Sequence, residues 1–334
     1  MQDWLQLTDA EKLETYNEIA IQVGLSPYAV EKDWWVTQTL NILFQTEIAT
    51  HLVFKGGTSL SKAWKLIERF SEDIDLALDR NFLGFTGALS NTQVGKLRKK
   101  SFQYISEEFY PILKQKFKEN GFENVEIKLA ESKDTDQDPL IIEIYYPNVV
   151  QYPEYILPRI LVEIGSRSLR EPFSIKTFSS LVGEQYPDKP FADKPIQIPT
   201  VNPERTFLEK IFLLHEEFQK PINAIRVNRL SRHLYDIEKL MQSQFVEKAL
   251  ENDLLYKEIV NHRRTITPLR GINYDKHKPT FINPIPPEDI LKDWKKDYQT
   301  MQNEMIYGDS LKFEDLIQKI TTLKLKINTL DWEL

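Results

Sequence analysis

The chain contains no cysteine, and this absence excludes disulfide bonds and thiolate metal sites. It also lacks an apolar run long enough to cross a membrane, and its first residues, MQDWLQLTDAEKLE, do not follow a signal-peptide pattern. None of the 5 histidines has a spacing typical of zinc ligands. We therefore expect a cytoplasmic protein without membrane association.

An excess of positive charge is also missing. The 43 lysines and arginines oppose 50 aspartates and glutamates, so the formal net charge is -7. This balance argues against a protein that coats nucleic acid indiscriminately, but it allows a local basic groove, because binding depends on where the charges lie. With 334 residues, 41% hydrophobic and 28% charged, the composition is typical of a globular protein of one large or two ordinary domains.

The most informative stretch covers residues 51–79. An apolar run ends at Phe54, the pair Gly56-Gly57 follows, and a helical pattern continues through Ile67. Glycines immediately before a helix let backbone N–H groups approach a phosphate, and the N-terminus of the helix attracts its charge. This segment therefore predicts a phosphate-binding loop.

A second extended run in this stretch covers residues 71–78. Successive side chains of a strand alternate between faces, so Asp73 and Asp75 share one face while Ile74 and Leu76 point into a core. Two neighbouring carboxylates repel each other, and as hard oxygen ligands they favour magnesium or manganese. A glycine pair or an Asp-x-Asp alone is usually a turn or a solvated strand end. A glycine pair, a helix and then Asp-x-Asp form a far more specific pattern, which predicts a catalytic metal site.

This order of features resembles the nucleotidyltransferase superfamily with the DNA polymerase beta-like fold. Within it, KGGTSL at residues 55–60 and RFSEDIDL at residues 69–76 are similar to the AbiEii/AbiGii toxin family. The resemblance implies an α+β fold, in which a mixed sheet flanked by helices precedes a helical C-terminal domain. We expect the two domains to cover residues 1–199 and 200–334, with the proline-punctuated residues 173–199 as the connection between them.

The resemblance also implies roles for individual residues. Asp73 and Asp75 are expected to be catalytic and to hold Mg²⁺ or Mn²⁺ together with a third acid. Glu163 matches that acid by order and context, and Glu143 in LIIEIYY is the alternative. A salt bridge to a basic residue such as Arg159 would explain why either glutamate occurs in an apolar strand, without a metal. The residues expected to bind the nucleotide are Gly56, Gly57, Thr58, Ser59, Ser71 and Lys210.

Lys210 falls on an apolar helical face, where its charge needs a partner or must reach water. Members of the family carry a functional lysine in a similar context, which implies that Lys210 neutralises the phosphates of the nucleotide. The string RHLYDI at residues 232–237 resembles a further family motif, with His233 where an acid is common and Asp236 at the second acid. Asp236 is expected to be catalytic, by orienting Lys210 or by assisting proton removal. An ordinary helical ion pair with Arg232 is the simpler alternative.

The triplet Glu31-Lys32-Asp33 lies upstream of the glycine loop, in a helix expected to begin near Pro27. Members of the family often have a similar triplet in this position. Two interpretations stay open, namely a solvated charged face and a group that braces the active site.

With these residues in place, the resemblance implies a toxin that transfers a nucleoside monophosphate from an NTP to the 3′ end of an RNA, with tRNA favoured. Such transfer would block translation in a toxin–antitoxin or phage-defence system, and a cognate antitoxin is an expected partner. The alternatives are transfer to a protein or a small molecule such as an antibiotic, and a non-catalytic interaction module. The residues expected to contact the RNA backbone are Arg226, Arg229, Arg232, Arg263 and Arg264.

Overall fold

The structure is a computed structural model that describes residues 2–71, 73–132, 134–152 and 157–334. The chain divides into two compact units. The sheet unit comprises Met1–Ala63 and Phe70–Val201, and the helical unit comprises Trp64–Arg69 and Asn202–Leu334. The main division thus falls two residues after the predicted one, and the hexapeptide Trp64–Arg69 belongs to the C-terminal unit. Among the described residues, no helix is long and apolar enough to span a membrane.

Helices begin the sheet unit, and local signals in the sequence explain where they start. Thr8 and Glu11 form a capping box at the start of the second helix, and Pro27 occupies the first turn of the third. The helices of this unit are α1 (Gln2–Gln6), α2 (Asp9–Val23), α3 (Pro27–Leu43), α4 (Gly56–Thr58), α5 (Asn91–Gln103), α6 (Tyr110–Glu119) and α7 (Leu181–Gln185). A π-helical turn, Ser59–Ala63, continues α4, and another, Tyr104–Phe109, joins α5 to α6.

Seven strands form one mixed sheet. They are β1 (Leu52–Lys55), β2 (Asp73–Leu78), β3 (Glu126–Leu129), β4 (Leu140–Tyr145), β5 (Arg159–Gly165), β6 (Phe173–Phe178) and β7 (Ile196–Val201). Their order across the sheet is β3-β4-β5-β2-β1-β7-β6. The central strand β2 is antiparallel to β1 and parallel to β5. The segment 173–199, expected to be a connection with one short strand and one helix, contains α7 and supplies two strands of the sheet, since β6 and β7 pair along their whole length.

The helical unit contains α8 (Pro203–Glu217), α9 (Arg232–Met241), α10 (Gln244–Glu251), α11 (Asp253–Thr265), α12 (Leu291–Glu304) and α13 (Phe313–Asn328). Its core is built from apolar stripes of these helices, such as Leu234, Ile237 and Leu240 on α9, all fully buried. A mixed sheet with helices, followed by a helical C-terminal part, confirms the predicted fold class.

The helix predicted to continue through Ile67 ends earlier. The π-helical turn stops at Ala63, and Lys65 has a φ of +53°, in the left-handed region that ends a right-handed helix. The hexapeptide makes contacts inside the helical unit instead. The ring of Trp64 packs edge-on against Phe245, and Arg69 forms an isolated antiparallel bridge with Ile306. Packing partners distant in sequence have therefore overridden a local helical pattern.

Candidate active site

Strands β2 and β5 bring two of the predicted metal ligands side by side. Their parallel pairing sets Asp75 opposite Glu163, and Asp73 lies two residues earlier on β2. Residues in register share a face of the sheet and successive residues alternate, so all three carboxylates lie on one face. The opposite face of both strands is buried, at Ile74 and Val162 among others, which fixes the orientation of the acids.

Glu143 lies on the same face but one strand further from the aspartates, because β5 separates β4 from β2. Its carboxylate accepts hydrogen bonds from the Arg159 guanidinium at 2.5 Å and from the Tyr145 hydroxyl at 3.1 Å. The salt bridge offered as an explanation without a metal therefore applies to Glu143. Glu163 is the glutamate next to Asp75, and its role as a ligand stays a prediction.

The donor chemistry of Asp73, Asp75 and Glu163 fits a divalent cation, since ionised carboxylates are hard oxygen ligands. Adjacent strands are about 4.8 Å apart, so rotation about side-chain bonds is enough to bring oxygens of Asp75 and Glu163 together. Within the described ranges, however, no three acidic or histidine side chains already stand as a metal-binding group. The sheet places the three proposed ligands on one face, but their side chains are not yet arranged around a common ion position.

Gly56 allows the glycine loop to lie directly against Asp75. Its φ of +80° lies in the left-handed region, which glycine adopts without strain. A Cβ atom at this position would overlap the Asp75 carboxylate. Asp75 is also opposite Lys55 in the antiparallel pairing of β1 with β2. Glycine is therefore required here both by backbone conformation and by the close approach of Asp75.

The hydroxyl groups of the glycine loop are engaged within the sheet unit. Thr58 Oγ1 lies 2.5 Å from the carbonyl oxygen of Asp73 and 2.9 Å from Ser71 Oγ. The Ser59 hydroxyl donates to the Gly56 carbonyl at 2.8 Å, and the side chains of Thr58 and Ser59 are both buried. These hydroxyls hold the loop against the start of β2. The predicted contacts of Thr58, Ser59 and the backbone N–H groups of the loop with a nucleotide stay predictions.

Two residues of the charged triplet on α3 are buried rather than solvated. Glu31 and Lys32 are each 1% exposed, so the interpretation as a solvated face is wrong. Asp33 pairs with Lys62 at 2.5 Å and accepts the Leu181 backbone N–H at 2.7 Å. Because Lys62 lies in the π-helical turn that follows the glycine loop, this ion pair ties α3 to the loop. The contact fits the bracing interpretation.

Glu31 has an unusual environment in the same helix. Its carboxylate accepts backbone N–H groups of Val149 at 2.8 Å and of Val150 at 3.4 Å. Burial raises the pKa of Glu31 to about 7, although these hydrogen bonds oppose the rise. The ionised carboxylate is therefore destabilising at neutral pH and above.

We expect Glu31→Gln to flatten the pH dependence of stability. Since the folded pKa is above the unfolded value of 4.5, the contribution of Glu31 is fully present below pH 4.5 and is lost as the pH rises through about 7. The difference in pKa corresponds to about 3 kcal/mol. Thermal unfolding at pH 5 and pH 8 measures it, with Glu14→Gln on an exposed position of α2 as the control. Equal pH dependence in Glu31→Gln and wild type would contradict the expectation.

In the helical unit, Asp236 binds both Lys210 and Arg69. The fully buried carboxylate accepts hydrogen bonds from Arg69 Nε at 2.6 Å and Nη2 at 2.7 Å, and Lys210 Nζ lies 2.8 Å away. Burial alone would raise the pKa of Asp236, but the charges of Arg69 and Lys210 hold it well below its ordinary value. Asp236 is thus placed to orient Lys210. Sequence reasoning missed Arg69, because its partner lies 167 residues away and no local pattern connects them.

Lys210 is largely shielded from bulk water, since it is only 6% exposed. Burial lowers the pKa of Lys210, and the neighbouring Asp236 opposes this effect. Next to Asp236 on α9, burial lowers the pKa of His233 well below its ordinary value, with further contributions from Lys210 and Arg232. His233 is therefore neutral where the family motif commonly has an acid.

The arginines predicted to contact RNA differ in how far their charges are already balanced. Arg263 forms a two-pronged ion pair with Glu216, which is 1% exposed. Arg226 pairs with Glu217 at 2.7 Å but keeps a side chain that is 65% exposed. Arg264, at 3.0 Å from Asp275, is also partly exposed. Arg229 and Arg232 lie before and at the start of α9.

Comparison with known proteins identifies the family of this chain. A family model described as "Nucleotidyl transferase AbiEii toxin, Type IV TA system" matches residues 39–319, a range that includes the glycine loop, the acidic strands and Lys210. MenT4, a nucleotidyltransferase toxin from Mycobacterium tuberculosis, is similar in structure with a TM-score of 0.53 and 18% sequence identity, over 98% of this chain and 91% of that chain. This likeness shows a shared fold. Curated protein sequences give no match. Since the family model spans most of the chain, the chain belongs to the AbiEii toxin family and is a nucleotidyltransferase.

Proposed function

We propose that this toxin transfers a nucleoside monophosphate from an NTP to the 3′-hydroxyl of an RNA, with tRNA as the favoured acceptor. The acceptor oxygen bonds to the α-phosphorus, the bond from that phosphorus to pyrophosphate breaks, and the hydroxyl proton passes to a base. The observation that carries the proposal is the register of β2 and β5, which sets Asp75 opposite Glu163 beside Gly56.

Asp73, Asp75 and Glu163 are the proposed ligands of Mg²⁺ or Mn²⁺. When bound, such cations offset the negative charge of the triphosphate and favour the ionised acceptor oxygen. The chain itself contributes the backbone N–H groups of the glycine loop. Successive backbone N–H groups can form a concave site that binds phosphate oxygens. Lys210 is proposed to add positive charge toward the triphosphate, with its ammonium oriented by Asp236 at 2.8 Å.

RNA as the acceptor is supported by the basic residues of the helical unit. Of the predicted contacts, Arg226 is best suited, because 65% of its side chain is exposed. Arg263 is least suited, since its guanidinium is committed to a buried carboxylate. Arg229, Arg232 and Arg264 complete the proposed set. Modified RNA ends would block translation, and a cognate antitoxin would oppose that effect in a toxin–antitoxin or phage-defence system.

A labelling experiment tests the reaction and the acceptor together. Purified protein is incubated with Mg²⁺, total bacterial RNA and each NTP labelled at its α-phosphate. We expect labelled RNA of tRNA size, and no label when periodate has first destroyed the 3′-terminal diol. Label in protein or in a small molecule would instead support the other acceptor classes. If no NTP is transferred and none binds in a metal-dependent way, the protein is a non-catalytic module and the proposal fails.

A further inference from the structure

Arg159 lies on the face of the sheet that carries the proposed metal ligands. It begins β5, and Leu161 of the same strand is opposite Asp73 on β2. Residues two apart on a strand share a face, so Arg159, Asp73 and Glu163 lie on the same side of the sheet. One strand spacing of about 4.8 Å and two residues of about 3.3 Å each place the Cα atoms of Arg159 and Asp73 about 8 Å apart. The guanidinium is thus a near neighbour of the proposed metal site.

The guanidinium of Arg159 is held through one of its three nitrogen atoms. Nη1 donates to the Glu143 carboxylate at 2.5 Å and to the Tyr145 hydroxyl at 3.0 Å. These two bonds use both hydrogens of Nη1, out of the five that a guanidinium has. Within the part of the chain that the structure describes, no residue accepts a hydrogen bond from Nε or Nη2, and 28% of the side chain is exposed. The Nε–Nη2 edge is therefore an oriented fork that matches two oxygens of a phosphate.

The ring of Tyr145 adds an aromatic group to the same cluster. Its centroid lies 5.7 Å from Arg159 Cζ and 5.1 Å from Lys128 Nζ. Lys128 is opposite Glu143 in the pairing of β3 with β4, so it belongs to the same face. Its ion pair with Glu126 joins two exposed side chains, and such a pair is easily exchanged for another partner. Cations beside an aromatic ring are the groups that bind the phosphates and bases of single-stranded RNA.

Arg159 and the glycine loop lie on opposite sides of β2. The loop follows β1, and β5 is the other neighbour of β2 in the sheet. In nucleotidyl transfer the attacking oxygen and the leaving pyrophosphate are roughly in line across the α-phosphorus. With the departing phosphates at the glycine loop, the acceptor must approach from the side of β5. Arg159 is on that side, so its fork faces the acceptor rather than the triphosphate.

We propose that Arg159 binds a backbone phosphate of the acceptor RNA next to its 3′ end, and so holds the 3′-hydroxyl beside Asp73. This inference rests on the proposed function, in which the acceptor is an RNA. A carboxylate of a protein acceptor has the same two-oxygen geometry as a phosphate. The aromatic ring of Tyr145 and the second cation, Lys128, favour a nucleic acid at this face.

Steady-state kinetics in which RNA and NTP are varied separately test this assignment. Arg159→Gln should raise KM for RNA by about 10-fold, because a bidentate phosphate contact is lost, and should leave KM for the NTP and kcat at saturating RNA within about 2-fold of wild type. The slope of log KM for RNA against log salt concentration should decrease by about 0.7–1, since one fewer phosphate is neutralised. A wild-type KM for RNA in Arg159→Gln, or a rise in KM for the NTP instead, would overturn the proposal.

Arg170→Gln is the matched control, with unfolding temperatures measured for every variant. Arg170 also pairs with a carboxylate, that of Asp79 at 2.7 Å, and also lies near an aromatic ring, that of Phe173. Asp79 follows the end of β2 that is distant from Asp73. Arg170→Gln therefore breaks a similar ion pair but should keep the wild-type KM for RNA and salt slope. Arg159→Lys keeps the charge without the fork, so its salt slope should be that of wild type while KM for RNA rises several-fold.

Failure of the proposed function would be recognised separately. If wild type transfers no nucleotide to RNA, the labelling experiment has already rejected the reaction. Fluorescence anisotropy with a labelled single-stranded RNA of about ten nucleotides then tests Arg159 alone. Arg159→Gln must bind this RNA about 10-fold more weakly than wild type, and Arg170→Gln must bind it as wild type does. Equal affinities in all three proteins, or no binding by wild type, would show that Arg159 is not part of an RNA site.

Discussion

Replacement of Asp75 by asparagine is expected to reduce nucleotidyl transfer by about 10³-fold or more, because a neutral amide is a poor ligand for a divalent cation. Asp73→Ala should have an effect of the same size, since both carboxylates lie on one face of β2. The assay is the transfer of labelled nucleotide to RNA, with the thermal unfolding temperature measured in parallel. A folded Asp75→Asn variant with wild-type activity would exclude a metal-dependent reaction at this face.

The third acid is tested by a matched pair of variants. Glu163→Gln should lose activity to a similar degree, because Glu163 is the cross-strand neighbour of Asp75. Glu143→Gln changes the same residue type on the same face, but Glu143 is one strand further away and bound to Arg159. Its expected effect is a modest loss of stability from a broken ion pair. If Glu143→Gln were the inactive variant of the two, the assignment of Glu163 would be wrong.

Gly56→Ala is expected to abolish most of the transfer activity while lowering the stability of the fold only modestly. The added methyl group overlaps the Asp75 carboxylate, so that side chain must turn away from its place on the sheet. The left-handed backbone of residue 56 adds a strain of about 1–2 kcal/mol for any residue with a Cβ atom. We expect transfer to fall by about 10²-fold or more, as when one charge-stabilising group of an active site is displaced.

Gly84 provides the control for backbone strain. Its φ is +86°, close to that of Gly56, but a Cβ atom there would meet nothing within 4 Å. Gly84→Ala should therefore lose a similar amount of stability from strain alone and keep its activity. Equal losses of activity in the two alanine variants would mean that strain matters and that contact with Asp75 does not.

The central part of the candidate site could be predicted from local sequence. The glycine pair, the turn of helix and Asp-x-Asp lie within residues 51–79, and each element has a short-range pattern. Alternation along β2 correctly gave Asp73 and Asp75 a common face, with Ile74 and Leu76 buried behind them. Prediction of this local geometry succeeded because it depends on neighbours a few residues apart.

Prediction was weaker wherever distant segments meet. Glu143 and Glu163 each alternate with apolar residues in a strand, so alternation alone did not distinguish them, and Glu163 was favoured by the family resemblance. The helical pattern after the glycine loop suggested a helix through Ile67, but residues 64–69 pair with the helical unit instead. Residues 173–199 lack strong periodicity, and yet they supply β6 and β7 to the sheet.

The amino-acid sequence by itself determined that a glycine pair precedes a strand on which Asp73 and Asp75 share one face, because this follows from periodicity and spacing along a few turns of chain. The fold class was implied by the resemblance of these motifs to a known family. Only the tertiary structure decided that Glu163 is the neighbour of Asp75, that Glu31 is buried, and that Arg69 shares Asp236 with Lys210. Such choices depend on strand register and on which distant groups occupy the same low-dielectric interior. Local residue patterns do not encode that proximity.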